Sequence, residues 1–246
     1  MISAETILKP NMEYYIDKGL KQFEQPFATK YLLSPCTNPT HQNNLIVFGV
    51  YMPKTFTLLK NRTHNTYLIW GGSDFCPKHK KTIQLAKELG QSPHIQHLSI
   101  SRCLYNRLLS FGIVSTLIDF NLVDTTLFKP IPMSKPSNII YIYSGHPKQK
   151  GLQVRRYGKH IYDKIKQELS QFQYLLSHEV NAPYHTMPNI YATCFIVLRL
   201  TEFDGNANTV QECQAMQIPV VHNGSDYGLK WKTKEDVIQH ILNSSS

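Results

Sequence analysis

Acidic residues and long apolar runs are both scarce in this chain. Its 17 Asp and Glu against 26 Lys and Arg leave a formal net charge of +9 over 246 residues, which favours an anionic partner such as a nucleic acid, a membrane surface or a nucleotide. Apolar stretches such as Leu45 to Met52 are far too short to cross a bilayer. The first nine residues carry charge where a secretory leader needs an apolar run, so a cytoplasmic protein with at most peripheral membrane contact is expected. Cysteine is sparse as well. Cys36, Cys76, Cys103, Cys194 and Cys213 are odd in number and lack C-x-x-C spacing, which argues against a disulfide framework and a thiolate zinc site. Cys194 and Cys213 read as small buried hydrophobes. The sequons at Asn61, Asn223 and Asn243 carry little weight without a secretory signal. No internal repeat occurs, and no nucleic-acid motif accompanies the basic clusters 78–81 and 148–159, so no specific nucleic-acid partner is expected.

What is present is a regular alternation. Hydrophobic residues make up 41% of the chain, enough for the core of one large domain or two smaller ones. Strand-like runs at Leu45–Tyr51, Thr66–Trp70, Ile95–Ser99 and Ile113–Ile118 are separated by helical patterns at Lys54–Lys60, Lys78–Leu89 and Arg102–Ser110. This is the signature of βα units on a parallel sheet. About four strands are expected in this half, and Met12–Phe23 reads as a helix outside the scheme. Pro130, Pro132 and Pro136 then crowd a stretch without period, as an interdomain linker does. The alternation resumes with strands at Asn138–Ser144, Phe172–Ser177, Phe195–Leu200 and Pro219–His222, and helices at Tyr157–Leu169, Pro188–Thr193 and Asn208–Met216. Thr233 and Asp236 form a capping-box pattern for a last helix. The fold class expected is α/β with two Rossmann-like domains, residues 1–130 and 131–246.

The segment Thr201 to Val221, TEFDGNANTVQECQAMQIPVV, is the most informative. The apolar run before it, Cys194 to Leu200, has the length and β-branched content of an interior parallel strand. A strand therefore feeds a helix N-terminus, where free N–H groups and the helix dipole attract phosphate. Asp204 lies in the loop and Glu212 within the helix, eight residues on, so two carboxylates flank the pocket and can accept hydrogen bonds from sugar hydroxyls.

The order of these pieces resembles the retaining glycosyltransferases of the GT-B kind, group-1 or family-four branch, whose two Rossmann-like domains face a cleft. The likeness is carried by Asp204 to Glu212 with Ile218-Pro219-Val220-Val221, similar to that family's paired acidic motif and following strand. It is carried also by Asn121 to Pro130, similar to the interdomain linker, and by Ser144 to Gly151, similar to the Gly-Arg…Lys-Gly loop. The acidic segment and residues 222–231 look like glycosyltransferases of large DNA viruses, which would place the protein in host cytoplasm.

The resemblance implies a reduced N-terminal acceptor-side domain and a C-terminal domain that binds a nucleotide-sugar. It implies that Glu212 binds ribose hydroxyls, Asp204 faces the transferred sugar and Lys150 neutralises the diphosphate. Gly205, Asn206, Ala207 and Asn208 would supply N–H groups, with Thr209 at the helix start. The substrate would be a UDP- or GDP-sugar, with a glycan, protein or small-molecule acceptor and no cofactor. No Asp-x-Asp is present to hold a cation beneath a diphosphate, which agrees with a metal-independent enzyme. The alternative is a nucleotide-sugar-binding module that has lost turnover.

Departures from the family pattern leave some roles shared. Asp204 stands where a Glu is usual, with Glu202 close by. His146 replaces the loop Arg beside Gly145, so Lys148, Arg155 or Arg156 could share the phosphate with Lys150. Gly71, Gly72 and Asp74 are the nearest acceptor-side loop. Tyr184 and Tyr191 read as packing residues, His178 and His185 as structural or surface residues, and His94 and His97 as a cleft edge.

Overall fold

The structure is a computed structural model that describes residues 1–38, 43–71, 75, 80–132, 137–145, 157–180, 182–201, 206–224 and 227–245. The chain divides into two compact units, Met1–Leu122 and Val123–Ser246. Among the described residues no helix is long and apolar enough to cross a membrane.

Unit 1 is built on seven parallel strands: β1 (Ile2–Ser3), β2 (Glu13–Ile16), β3 (Ser34–Pro35), β4 (Leu45–Phe48), β5 (Thr66–Trp70), β6 (Ile95–Ser99) and β7 (Thr116–Asp119), ordered β1-β7-β6-β5-β4-β2-β3. Helices α1 (Ala4–Ile7), α2 (Glu24–Tyr31), α3 (Pro53–Asn61), α4 (Lys80–Gly90) and α5 (Arg102–Ser110) connect them. The middle strands are apolar on both faces, as helix-covered parallel strands require: Ile46, Val47, Leu68, Ile69 and Trp70 are fully buried.

Two expectations are corrected here. Met12–Phe23 is strand β2 followed by a 3-10 turn, Lys18–Phe23. Pairing with β4 in the register Glu13↔Leu45 to Ile16↔Phe48 decides the matter, burying Tyr14 and Ile16 and overruling a local helical pattern. With β1 and β3, β2 adds three strands to the four read from the alternation. Strand β7 begins at Thr116 rather than Ile113, because Ile113 still belongs to the end of α5. Its N–H bonds the Leu108 carbonyl while that of Gly112, at φ 78°, bonds Leu109, a Schellman closure with Leu108 and Ile113 both buried.

Unit 2 holds a four-stranded parallel sheet of β8 (Ile139–Ile142), β9 (Gln173–Leu176), β10 (Ile196–Leu198) and β11 (Val220–Val221), ordered β11-β10-β8-β9. Its helices are α6 (Lys159–Glu168), α7 (Ser177–Val180), α8 (Met187–Tyr191), α9 (Asn208–Met216) and α10 (Lys234–Ser244). The α10 capping box is formed as the sequence suggests: Thr233 accepts from the Asp236 N–H and Asp236 from the Thr233 N–H. Val123 and Phe128 pack in the core of this unit with Tyr191 and Val197.

Candidate functional site

The strand order of unit 2 selects one end of one crevice. From β8 the chain moves outward to β9, then returns to the other side of β8 as β10. The direction of winding reverses between β8 and β10, and ligands of open parallel sheets bind at the carboxyl ends of the strands where that happens. The residues there are Tyr143, Ser144 and Gly145 after β8, Arg199 to Thr201 after β10, and the start of α9.

Helix α9 begins without a side-chain cap. Its N-cap, Ala207, has no side-chain hydrogen bond to the first turn, and the positive end of a helix dipole favours an anion. Arg199 stands beside it. Its Nη1 donates to Thr209 Oγ1 at 3.2 Å, and its guanidinium lies 3.9 Å from the centroid of the Tyr143 ring. Behind it, His222 is fully buried. Its Nε2 accepts from the Gly224 N–H at 3.0 Å, so the proton sits on Nδ1 and faces the Arg199 carbonyl at 3.3 Å.

Glu212 lies in the second turn of the same helix and is 4% exposed. Tyr191 OH donates to Glu212 Oε2 at 2.8 Å, and Tyr184 lies within electrostatic reach of the same carboxylate. Burial pushes the Glu212 carboxyl up to about 7, against the lowering effects of Tyr191, Arg199 and Tyr184. A carboxylate raised toward neutrality by burial, beside a guanidinium and a helix N-terminus, makes this end of unit 2 a candidate site. Such a carboxylate can accept hydrogen bonds from hydroxyls, and a helix N-terminus and a guanidinium can hold negative charge.

The floor of this site tolerates no added side chain. A Cβ at Gly145, φ 71°, would lie 2.2 Å from the Tyr157 ring. One at Gly158, φ 65°, the N-cap of α6, would lie 2.7 Å from the Leu200 carbonyl oxygen. Gly158→Ala therefore costs a left-handed conformation and a backbone clash beside the β10 terminus; a loss of about 2 kcal/mol in urea unfolding is expected.

Of the residues read from the sequence, Gly145, Asn206, Ala207, Asn208, Thr209 and Glu212 fall at this end of unit 2. Glu202, Asp204, Gly205, His146, Lys148, Lys150, Arg155 and Arg156 lie outside the described residues, as do Gly72 and Asp74. Gly71 follows β5 in unit 1, where an added Cβ would lie 3.0 Å from Tyr51 OH. Tyr184 packs on Phe128; reading Tyr191 as a packing residue missed its bond to Glu212. His178 is a satisfied structural residue, its Nδ1 bonded to Ser144 Oγ at 2.6 Å. His97 is 5% exposed in the core against Trp70, and burial pushes it down to about 4; its placement at an edge is corrected. Arg199 was missed. The available signal was a lone cation ending an apolar strand, which demands a partner.

Unit 1 has its own reversal, between β2 and β4. There the buried Asp17 carboxylate accepts from Gly19 N at 2.9 Å and from Tyr51 N and Met52 N at 3.0 Å each, with Thr55 Oγ1 as a fourth hydrogen-bond donor. An internal carboxylate thus occupies the anion position before α3. Misreading β2 as helix concealed this.

Solved structures share this architecture. TarM matches at 11% identity over 82% of this chain and 47% of its own, with a TM-score of 0.55. Sucrose-phosphate synthase from Thermosynechococcus elongatus matches at 11% identity over 94% of this chain and 72% of its own, with a TM-score of 0.57. A TarM variant from S. aureus matches at 12% identity over 82% and 48%, with a TM-score of 0.54. The fold is that of GT-B glycosyltransferases. The chain spans about half the length of the TarM chains. No protein-family model matches the sequence, and no curated protein does. The GT-B likeness therefore rests on the two parallel sheets.

Proposed function

We propose that this protein is a retaining, metal-independent glycosyltransferase that moves a sugar from a UDP- or GDP-sugar to an acceptor hydroxyl. The observation that carries the reading is the N-terminus of α9 at the β8/β10 reversal, where Ala207 is the N-cap, with Glu212 buried one turn further along. The S. aureus TarM variant is in complex with Fondaparinux, alpha-GlcNAc-glycerol and UDP, which supports a nucleotide and a glycan as ligands of this fold.

In this reading Glu212 accepts hydrogen bonds from the ribose hydroxyls. Departure of the nucleoside diphosphate builds negative charge, which the α9 terminus, Arg199 and Lys150 stabilise as fixed dipoles and charges. Asp204, with Glu202 nearby, faces the transferred sugar, and the sugar carbon exchanges its bond to the diphosphate for one to the acceptor oxygen, whose proton passes to the departing diphosphate. Gly71, Gly72 and Asp74 are the acceptor-side residues of this reading.

The test is a panel of UDP- and GDP-sugars, scored for transfer and for hydrolysis of the nucleotide-sugar. Absence of both, together with unchanged nucleotide affinity in Glu212→Ala, refutes the reading; tight binding without turnover favours the binding-module alternative. A thermal-shift series with UDP and GDP is expected to show stabilisation by the cognate nucleotide of about 2.7 kcal/mol at a hundredfold excess over Kd.

A further inference from the structure

The crevice at the β2/β4 reversal of unit 1 is already occupied by a charge of the chain's own. Asp17 follows β2 with its N–H on the Phe48 carbonyl at 3.0 Å, which carries the β2/β4 pairing to the edge of the crevice. Its buried carboxylate accepts the Gly19 N–H on Oδ1, and the Tyr51 and Met52 N–H groups with the Thr55 hydroxyl on Oδ2. Met52 is the N-cap of α3, and Pro53 at its first position has no N–H to offer. The Thr55 and Phe56 N–H groups close on the Met52 carbonyl. Donors that would hold a phosphate at this helix start are therefore taken. All four partners of Asp17 are neutral, so none of them cancels its charge, and a second anion is repelled. The surface beside it is aromatic: a Cβ on Gly19, Gly49 or Gly71 would lie 3.0, 3.1 or 3.0 Å from atoms of the partly buried Tyr51, which thus runs across the chain just past β2, β4 and β5.

We propose that Asp17 sets the ligand class of unit 1: its carboxylate stands in for a ligand phosphate, so the crevice refuses anions and receives an uncharged, hydroxyl-bearing ligand against Tyr51. The consequence for chemistry rests on the reading of this unit as the acceptor side, to which Gly71 beside the Tyr51 ring belongs. In that reading the acceptor is a neutral glycan or glycoside whose reacting end carries no phosphate. The two units then divide their ligands by charge, with the nucleoside diphosphate confined to unit 2.

Amide NMR titration of the full chain at constant ionic strength tests this with sodium formate, inorganic phosphate and glucose 6-phosphate. The Gly19, Tyr51 and Met52 amides of the wild-type protein are expected to stay in place with all three. Asp17→Gly empties the position and is expected to bind formate there at least about tenfold more tightly than wild type, through hydrogen bonds to a charged group, shifting the Tyr51 and Met52 amides. If this variant is unfolded in chloride, formate is expected to refold it, while Gly158→Ala, destabilised in unit 2, gains no more from formate than wild type does. Movement of the wild-type Tyr51 and Met52 amides with phosphate or glucose 6-phosphate overturns the proposal, as does an Asp17→Gly protein that formate neither binds nor rescues. In the transfer assay neutral glycosides are expected to outperform their 6-phosphates as acceptors, and the reverse order overturns the acceptor class. The Asn208 and Thr209 amides at the start of α9 report the donor reading separately: their silence with both UDP and GDP refutes that reading and leaves the refusal of anions by Asp17 standing.

Discussion

Glu212→Gln is expected to weaken nucleotide binding at pH 8 by on the order of 100-fold, about 2.7 kcal/mol. The substitution preserves volume and helix propensity, so the change isolates charge. Two hydroxyls donating to an ionised, desolvated carboxylate gain about twice as much per bond as they gain from a neutral amide, and only the amide oxygen remains as an acceptor. The buried Tyr191 hydroxyl, 2.8 Å from Oε2, keeps a partner if the amide oxygen turns toward it, which takes that oxygen from the ligand. Calorimetry with UDP and GDP measures the loss, and pyrophosphate serves as the control because it engages the α9 terminus alone. Equal affinities for wild type and variant would remove Glu212 from the site.

Stability and binding should respond to pH in opposite directions. Glu212 titrates at about 7 in the folded protein against an ordinary value of 4.5, mainly through burial. The native state then binds more protons than the unfolded chain between these values, so stability falls as pH rises through the window and is level above it. The full span corresponds to about 3 kcal/mol, present below pH 4.5 and lost by pH 7. Tyr191, Tyr184 and Arg199 are the groups that hold the shift down, while Tyr141 and Cys213 also lie within electrostatic reach. Nucleotide affinity follows the ionised form and should strengthen from pH 6 to pH 8. The difference in urea stability between wild type and Glu212→Gln, followed from pH 4 to pH 8, separates this carboxyl from the histidines. A flat difference would show that Glu212 titrates as an exposed acid.

The two effects share a cause. A desolvated carboxylate costs stability and recognises hydroxyls strongly, since low local polarity magnifies both terms. Functional sites commonly carry such a cost, offset elsewhere in the fold. Here the offset is visible in the apolar cluster around α9, which includes Val210, Cys213 and Met216.

Much of the architecture was legible in one dimension. Thr66–Trp70, Ile95–Ser99, Arg102–Ser110 and Asn208–Met216 have the bounds that periodicity assigns them, because apolar runs of that length and composition are stable only between layers of helix. The capping pattern at Thr233 and Asp236 worked because a cap depends on neighbours three residues apart. The short strands of the first 35 residues were not legible. Two- and four-residue strands carry little local signal, and β2 exists because β4 lies beside it.

The site divides along the same line. That Glu212 sits in a helix near its N-terminus follows from residue order, since the Gly-Asn turn, helix start and carboxylate are contiguous. Its raised affinity for protons, its bond to Tyr191, and the company of Arg199 arise from strand order and packing, which join residues 13 and 21 positions apart along the chain. Local chemistry names a carboxylate; only the neighbours brought by folding remove its water and set what it can hold.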